Sequence, residues 1–336
     1  PLFKTLRERG WTEHLYFVRH WHGGSHLRLH IAAAPLLFQQ QIAPYIQSEV
    51  ERYLLQNPAT TSFSEKDARS QYERRESYNT HQYVALRPNN SLEIAPYENL
   101  APTVGSQGAA RLLETYYEET CDAAFALIEQ TRNNYTARLN TCFDQLVAIV
   151  ATSPFLPLDR AYMSYRSHAE GFIIGEPEIE EPRLRRQRLE AAYQQRSTAI
   201  NQRLRHLLAL FTKAPERLPT WLTAIVELHR RYGQQTYKAA QDGIFELKKH
   251  KDTEQARQRM RLEESDYLAA AFSSPAVLDY IDSPIVVAHR TVLNLLYLHL
   301  HRVGMLNEDR YILDYYIASA LEELLGIDPL ASMRAS

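Results

Sequence analysis

The 336-residue chain is 45% hydrophobic and 23% charged, with a formal net charge of -2. These values fit a globular protein and exclude collagen-like, disordered and supercharged classes; near-neutral charge also argues against gripping a nucleic-acid backbone by bulk electrostatics. Two cysteines, Cys121 and Cys142, are too few for a disulfide scaffold or a CxxC metal site, and the 11 glycines form neither a GxGxxG nor a GxxxxGK phosphate loop. No apolar run reaches the roughly 18 residues of a membrane span and no charged-then-apolar leader opens the chain, so a cytoplasmic protein is expected.

In chain order, residues 14–21 (His-Leu-Tyr-Phe-Val-Arg-His-Trp) and 26–31 (His-Leu-Arg-Leu-His-Ile) flank His22-Gly23-Gly24-Ser25. Two runs rich in aromatic and β-branched residues around a Gly-Gly turn predict a β-hairpin. Residues 35–56 carry apolar side chains at helical spacing and stop at Asn57-Pro58. The polar stretch 59–80 is expected to be a surface loop. A second strand pair is expected at 82–87 and 91–95, turned by Pro88-Asn89-Asn90.

From about residue 106 helical periodicity takes over. Helices are predicted at 108–132 and 137–152, a loop-rich crossing broken by prolines at 153–182, and a long exposed helix or helical hairpin at 183–212. Further helices are expected at 219–232, 252–272, 284–303 and 307–325. Glu176 to Glu181 followed by Arg183, Arg185, Arg186 and Arg188 reads as a solvated charged face. The fold class is α+β, mostly helical, with a small antiparallel sheet from N-terminal hairpins. It forms a single domain over 1–336, with a strand-rich part at 1–105 and a helical part at 106–336.

Three groups of residues carry candidate chemistry. An even loop of two or four residues in the hairpin sets Trp21 opposite His26, Arg19 opposite Arg28 and Phe17 opposite His30. One face is then apolar, and the other presents two arginines between histidines and aromatics. Like charges placed directly across a ladder cost stability. Arg19 and Arg28 therefore either meet carboxylates or solvent, or are kept for an anionic or carbonyl-rich ligand. Although His20, His22, His26 and His30 invite a metal reading, alternation turns His20 away and the cationic neighbours disfavour a dication. No metal site is expected.

The second group lies on 284–303, apolar almost all round and so expected to be central. At 100° per residue, Arg290, Asn294, Tyr297 and His301 share one line, with Thr291 about 100° from Arg290 and His299 opposite. A polar line on a buried helix is either a hydrogen-bonded core network or the wall of a pocket. The third group, Tyr162 to Glu170, combines His168 and Glu170 with phenols in a composition suited to acid–base work.

These segments resemble a known family. Leu15 to His30 is similar to the "FFIRYW-x-GG-x-HLRLR" hairpin of thiopeptide-type bacteriocin biosynthesis proteins, relatives of the C-terminal elimination domain of class I lantibiotic dehydratases. His289 to Gly304, with Asp309-Arg310 following, resembles the family's "R-x-LVNLLY-x-x-L-x-RLG" helix, and Tyr165 to Phe172 looks like a further family segment. The likeness runs in order along nearly the whole chain. It implies the elimination-domain fold and one of two reactions on a ribosomal peptide. Eliminators remove glutamate from glutamylated Ser or Thr; pyridine synthases join two dehydroalanines by a formal aza-[4+2] cycloaddition, then lose water and leader.

Family eliminators carry a second arginine where this chain has His30, and another in a segment that here, Leu92 to Pro102, has none. Fewer guanidinium groups mean weaker glutamyl-carboxylate binding, so the expectation is a pyridine synthase. A stand-alone elimination lyase and a non-catalytic peptide-binding subunit are the alternatives. Under the first reading the resemblance implies Tyr297 as the phenol, facing a dry pocket, that stabilises the iminol. It makes Thr291, where Ser is the expected hydroxyl residue, a second catalytic position, and His168, His26 and His301 candidates for proton transfer. Arg19 and Arg28 are expected to orient peptide carbonyls, with His30, Trp21, Arg290, Asn294 and Glu170 as further substrate contacts. No cofactor is expected. The expected partner is a leader-bearing precursor peptide, with a homodimer or other biosynthetic enzymes as further candidates and neither nucleic acid nor membrane.

Overall fold

A computed structural model describes residues 2–21, 23–60, 64–75, 84–175, 179–242 and 261–334. The chain divides into two compact units, Pro1–Asp122 and Ala123–Ser336. The first carries the described strands, the second is helical. Among the described residues no helix is long and apolar enough to cross a membrane.

The first unit opens with α1 (Leu2–Glu8), which buries Phe3 and Leu6, and the hairpin β1 (Leu15–His20) and β2 (His26–Ile31). Gly23 and Gly24 both take positive φ, +80° and +106°, which only glycine adopts without strain. A bond from the Gly24 amide to the Trp21 carbonyl (2.9 Å) closes the turn. The ladder pairs Tyr16 with His30, Val18 with Arg28, Arg19 with Leu27 and His20 with His26. This is one residue away from the register expected. The connection Trp21 to Ser25 has an odd number of residues, and with a side-chain period of two a single step moves every β1 side chain to the other face. His20 therefore joins His26, Arg28 and His30, whereas Arg19 lies with Leu27, Leu29 and Ile31. Trp21 sits in the turn and not opposite His26.

The rest of this unit is helices and connecting segments, the longest described one without regular structure running from 84 to 100. A short turn at Pro35–Leu37 and a π-helical stretch at Phe38–Ile42 lead into α2 (Ala43–Gln56), so the helix expected at 35–56 forms with a local widening near its start. The expected loop contains α3 (Glu65–Arg75), opened by Ser64, whose hydroxyl accepts from the Asp67 amide (3.1 Å). In the described part of the second strand pair no ladder forms; residues 82 and 83 lie outside the described residues. Instead the segment crosses the hairpin turn, where the Arg87 amide donates to the Gly23 carbonyl (3.0 Å). A methyl group on Gly24 would stand 3.1 Å from Leu86 Cδ2, a tight approach that adds to the preference for glycine its positive φ already sets. Helix α4 (Gln107–Glu119) is capped by Ser106 and packs on β1 with Ala110, Leu113, Tyr116 and Tyr117 inward. Thr120 separates it from α5 (Cys121–Gln130), dividing the helix expected at 108–132.

The second unit is built around α6 (Tyr135–Ala151), capped by Asn134, whose residues from Cys142 to Val150 are all buried. The expected proline-broken crossing folds instead into a short turn at Leu158–Ala161 and α7 (Met163–Ile174), a largely buried helix. The charged run becomes α8 (Pro182–Gln194) and α9 (Ser197–Lys213), the helical-hairpin alternative. It is not simply a solvated face. Arg185 is 4% exposed; its Nη1 donates to the carbonyls of Phe172 (2.5 Å) and Ile173 (3.3 Å) and to Gly175, so one guanidinium nitrogen caps the end of α7. Glu176 lies outside the described residues.

Next come α10 (Thr220–Gln241), α11 (Asp266–Ser273), α12 (Pro275–Ile281), α13 (Pro284–Arg302), α14 (Asn307–Leu325) and α15 (Pro329–Arg334). Of the helix expected at 252–272, residues 252–260 lie outside the described residues, and the described part is α-helical from Asp266 onward. Helix α10 packs along α13, and α7 along α14. The apolar α13 is central as its sequence implies, with Leu293, Leu296 and Leu300 fully buried.

Candidate active site

In the second unit, α7, α13 and α14 bring four polar side chains together. A hydrogen bond of 2.9 Å joins the Tyr297 hydroxyl and Asp314 Oδ2, and His168 Nδ1 lies 2.9 Å from the same hydroxyl. His168 Nδ1 and Asp314 Oδ2 are 3.9 Å apart. The Arg310 guanidinium lies over the face of the Tyr297 ring, 4.6 Å from its centre, a cation–π arrangement. Exposure falls along the line: 35% of the His168 side chain reaches the surface, Tyr297 is 4% exposed and Asp314 is 0% exposed.

Burial determines the protonation states. Among the described residues the Asp314 Oδ1 makes no hydrogen bond, and burial raises the pKa of the carboxyl to about 8 against the weaker pull of Arg310 and Tyr297. At neutral pH it is mostly a neutral acid, and a neutral oxygen left unpartnered costs far less than a carboxylate would. Burial also pushes the Tyr297 phenol well above its ordinary value. His168 is held neutral, its pKa lowered to about 3 by desolvation and then by Arg310, Arg290 and His289. With a protonated Asp314, the proton sequence that fits these distances is Asp314 to Tyr297 to the unprotonated Nδ1 of His168. Nε2 then carries the imidazole hydrogen.

Of the predicted residues, this arrangement gathers Tyr297, His168 and, through its field on His168, Arg290. Thr291 instead back-bonds to the Val287 carbonyl (2.9 Å) on its own helix. Asn294 is exposed and His301 half-buried, so the polar line on α13 is not one buried network. Glu170 stands two residues from His168, on the other side of α7. It takes a two-pronged bond from Arg186 (2.8 and 2.8 Å) and another from Ser265 Oγ (2.7 Å), with Arg166 at 3.8 Å. The expected His-x-Glu grouping is thus split. Asp314 was missed by sequence reasoning, and Arg310 was noted only as part of a motif; a lone acid between Leu313 and Tyr315 in an otherwise apolar stretch is the signal that would have marked a buried carboxyl.

In the first unit the hairpin presents a separate cluster. Arg28 donates to Glu98 Oε2 (2.6 Å) and, through Nε, to His26 Nε2 (3.1 Å). Because that nitrogen accepts, His26 carries its proton on Nδ1, which lies 2.7 Å from the Gly24 carbonyl. The His30 ring stacks on Tyr16 with centres 4.5 Å apart, and burial, then Arg28, lowers its pKa to about 4. The paired-arginine face expected from the sequence does not exist, because Arg19 points from the opposite face and Arg28 is engaged by a carboxylate. His20 is on the His26 face, the rings 5.1 Å apart, rather than turned away. His22 lies outside the described residues. Among the described residues no group of three or more His, Cys, Asp or Glu side chains is placed to hold a metal ion.

The family model described as "Lantibiotic biosynthesis dehydratase C-term" matches residues 1–321. The chain belongs to this family. Two solved structures share its fold. "Pyridine synthase, TbtD, from thiomuracin biosynthesis" matches with a TM-score of 0.73 and 21% identity, covering 98% of this chain and 92% of that one. "Crystal structure of TsrL" matches with a TM-score of 0.73 and 23% identity, covering 99% of this chain and 91% of that one. Comparison with the curated proteins gives no match.

Proposed function

We propose that this family member is a pyridine synthase acting on a leader-bearing ribosomal peptide that contains two dehydroalanines. The observation that carries the reading is the Asp314–Tyr297–His168 line, which ends on a surface-reaching neutral imidazole. The fold shared with a pyridine synthase and the family membership support it. So does the hairpin, whose two arginines lie on opposite faces and whose Arg28 is paired with Glu98, a poor clamp for a glutamyl carboxylate, the group an eliminator must hold.

In the proposed reaction an amide proton moves from nitrogen to oxygen to give an iminol, the C=N–C=C half of the ring. Two carbon–carbon bonds then form with the second dehydroalanine. Loss of the former carbonyl oxygen as water and of the leader as an amide leaves the aromatic ring. No electrons enter or leave. His168 donates to the amide oxygen and takes the proton back, and Tyr297 carries it between His168 and the Asp314 reservoir. Binding holds the two alkenes within reaction distance, which supplies much of the rate. Arg290 sets the field at the imidazole. Arg19, Arg28, His26, His30 and Trp21 are proposed to contact the peptide backbone, with Arg28 donating to carbonyls.

The test uses purified protein and a peptide bearing its leader and two dehydroalanines, followed by mass spectrometry. The expected product is a macrocycle lighter by one water and the leader. Tyr297→Phe should slow it roughly 10²- to 10⁴-fold, the usual worth of a positioned acid–base group. A Tyr297→Phe variant at the wild-type rate removes the assignment. Release of free glutamate from a glutamylated peptide, with no cyclisation, replaces the reading with elimination.

A further inference from the structure

Arg310 exchanges no proton in the line from Asp314 to His168, yet its surroundings are unusual for a guanidinium. It is half-buried and lies over two aromatic faces, with Tyr297 at 4.6 Å and Tyr311 at 4.1 Å from the ring centres. The Tyr311 ring is stacked on Phe172 (4.8 Å, 7° between planes), and the buried Arg185 lies over Phe172 in turn (4.9 Å). Phe172 is one turn beyond His168 on α7, and Asp314 is one turn beyond Arg310 on α14, so each pair shares a helix face. Two links therefore join α7, α13 and α14. One is the hydrogen-bonded line Asp314–Tyr297–His168. The other is the stack Tyr297–Arg310–Tyr311–Phe172, which continues to Arg185 on α8. Tyr297 belongs to both.

The charge on Arg310 is left largely unquenched. Its Nε is buried and makes no hydrogen bond among the described residues. The acid one turn on, Asp314, is held mostly neutral and so does not balance it. A buried N–H without a partner is costly; contact with two ring faces offsets part of that cost while leaving the positive charge in place. That charge acts on the proton line. It draws the Tyr297 phenol back toward ionisation against the effect of burial, and with Arg290 and His289 it opposes protonation of His168.

We infer that Arg310 is a positioning residue for the proposed reaction. Stacked on the Tyr297 and Tyr311 rings, it fixes the plane of the phenol and supports the negative charge that builds on the Tyr297 oxygen as its proton passes to His168 Nδ1. A proton from Asp314 replaces the one given up, so the transfer balances with no other reactant. The role in turnover rests on the function proposed above; the fixed charge over the ring does not.

The experiment compares Arg310→Met, which keeps the length and loses the charge, with Arg310→Lys, which keeps the charge and loses the planar fork. In the cyclisation assay with the leader-bearing peptide, kcat and kcat/KM of Arg310→Met should fall together by about 3- to 30-fold, the worth of a cation–π contact that matters in the transition state. Arg310→Lys should recover part of that loss. The second readout needs no turnover: nitrogen NMR follows the titration of His168, identified by the signal missing in His168→Gln. Its midpoint should rise in Arg310→Met, short of the ordinary imidazole value because burial, Arg290 and His289 remain, and stay near wild type in Arg310→Lys. Should the methionine variant melt early, the neutral, polar Arg310→Gln takes its place. A folded neutral variant with an unmoved His168 midpoint overturns the proposal, as does one with wild-type kcat or a loss confined to KM. A wild-type protein that does not cyclise removes the proposed function instead, and the titration alone then decides whether the charge on Arg310 acts on the line.

Discussion

Asp314→Asn is the substitution whose consequence is most sharply fixed by the structure. The carboxyl is fully buried with a pKa near 8, against roughly 3.9 in the unfolded chain. Below pH 4 both states hold the proton, and the group adds no pH dependence. Between about pH 4 and 8 the folded state keeps a proton that the unfolded state has released, so stability falls as pH rises, by about 1.4 kcal/mol per unit. Above pH 8 both states ionise and the loss stops. Asparagine has nearly the same shape, can donate its side-chain amide to the Tyr297 hydroxyl as the protonated acid does, and cannot ionise. The stability difference between variant and wild type should therefore grow in the variant's favour by about 4 kcal/mol from pH 5 to pH 8. Urea denaturation at pH 5, 6, 7 and 8, with both proteins fitted to a common m-value, measures it. A difference that stays constant over that range refutes the neutral-acid description and with it the proton reservoir.

Two further outcomes follow from buried charge. Glu170→Gln leaves the half-exposed Arg186 facing a neutral amide while Arg166 keeps Glu322; it should cost about 1–3 kcal/mol in denaturant melts. The turnover of the fraction that remains folded should be near wild type, whereas a loss of turnover with full stability would make Glu170 part of the chemistry. His229, 4% exposed with a pKa lowered by burial to about 3, stays neutral when folded and charges at about 6.5 when unfolded. Its effect has the opposite sign to that of Asp314, with stability lost as pH falls from about 6.5 toward 3. His229→Gln should accordingly narrow the gap between the urea midpoints at pH 7 and pH 4.5, and an unchanged gap would show that the imidazole is not what acid attacks.

The parts of the fold legible in the sequence were those with one dominant period. Helix α13, with aliphatic residues on nearly every side, and the hairpin, with two short β-rich runs around Gly23-Gly24, could be bounded to within a residue or two. Helix α7 was hidden because Pro154, Pro157, Pro177 and Pro182 flank it and its two faces are both buried, so it shows no amphipathic stripe. Arg185 misled for a related reason. A charged letter in a charged run reads as solvent-facing, yet its Nη1 satisfies carbonyls at the end of a neighbouring helix. Tyr297 was found because a phenol on an apolar rod needs a partner. Its partner Asp314 comes from another helix, and no spacing rule connects positions seventeen residues apart across a turn.

The odd connection in the hairpin carries a lesson for comparing relatives. Adding or deleting one amino acid between Trp21 and Ser25 would rotate Arg19 to the side of Arg28 without altering either letter. Two homologues can thus keep an identical set of basic positions and yet offer a peptide one cation or two, according to the parity of the bend between them. Sorting family members by bend length should separate them more cleanly than sorting them by arginine content.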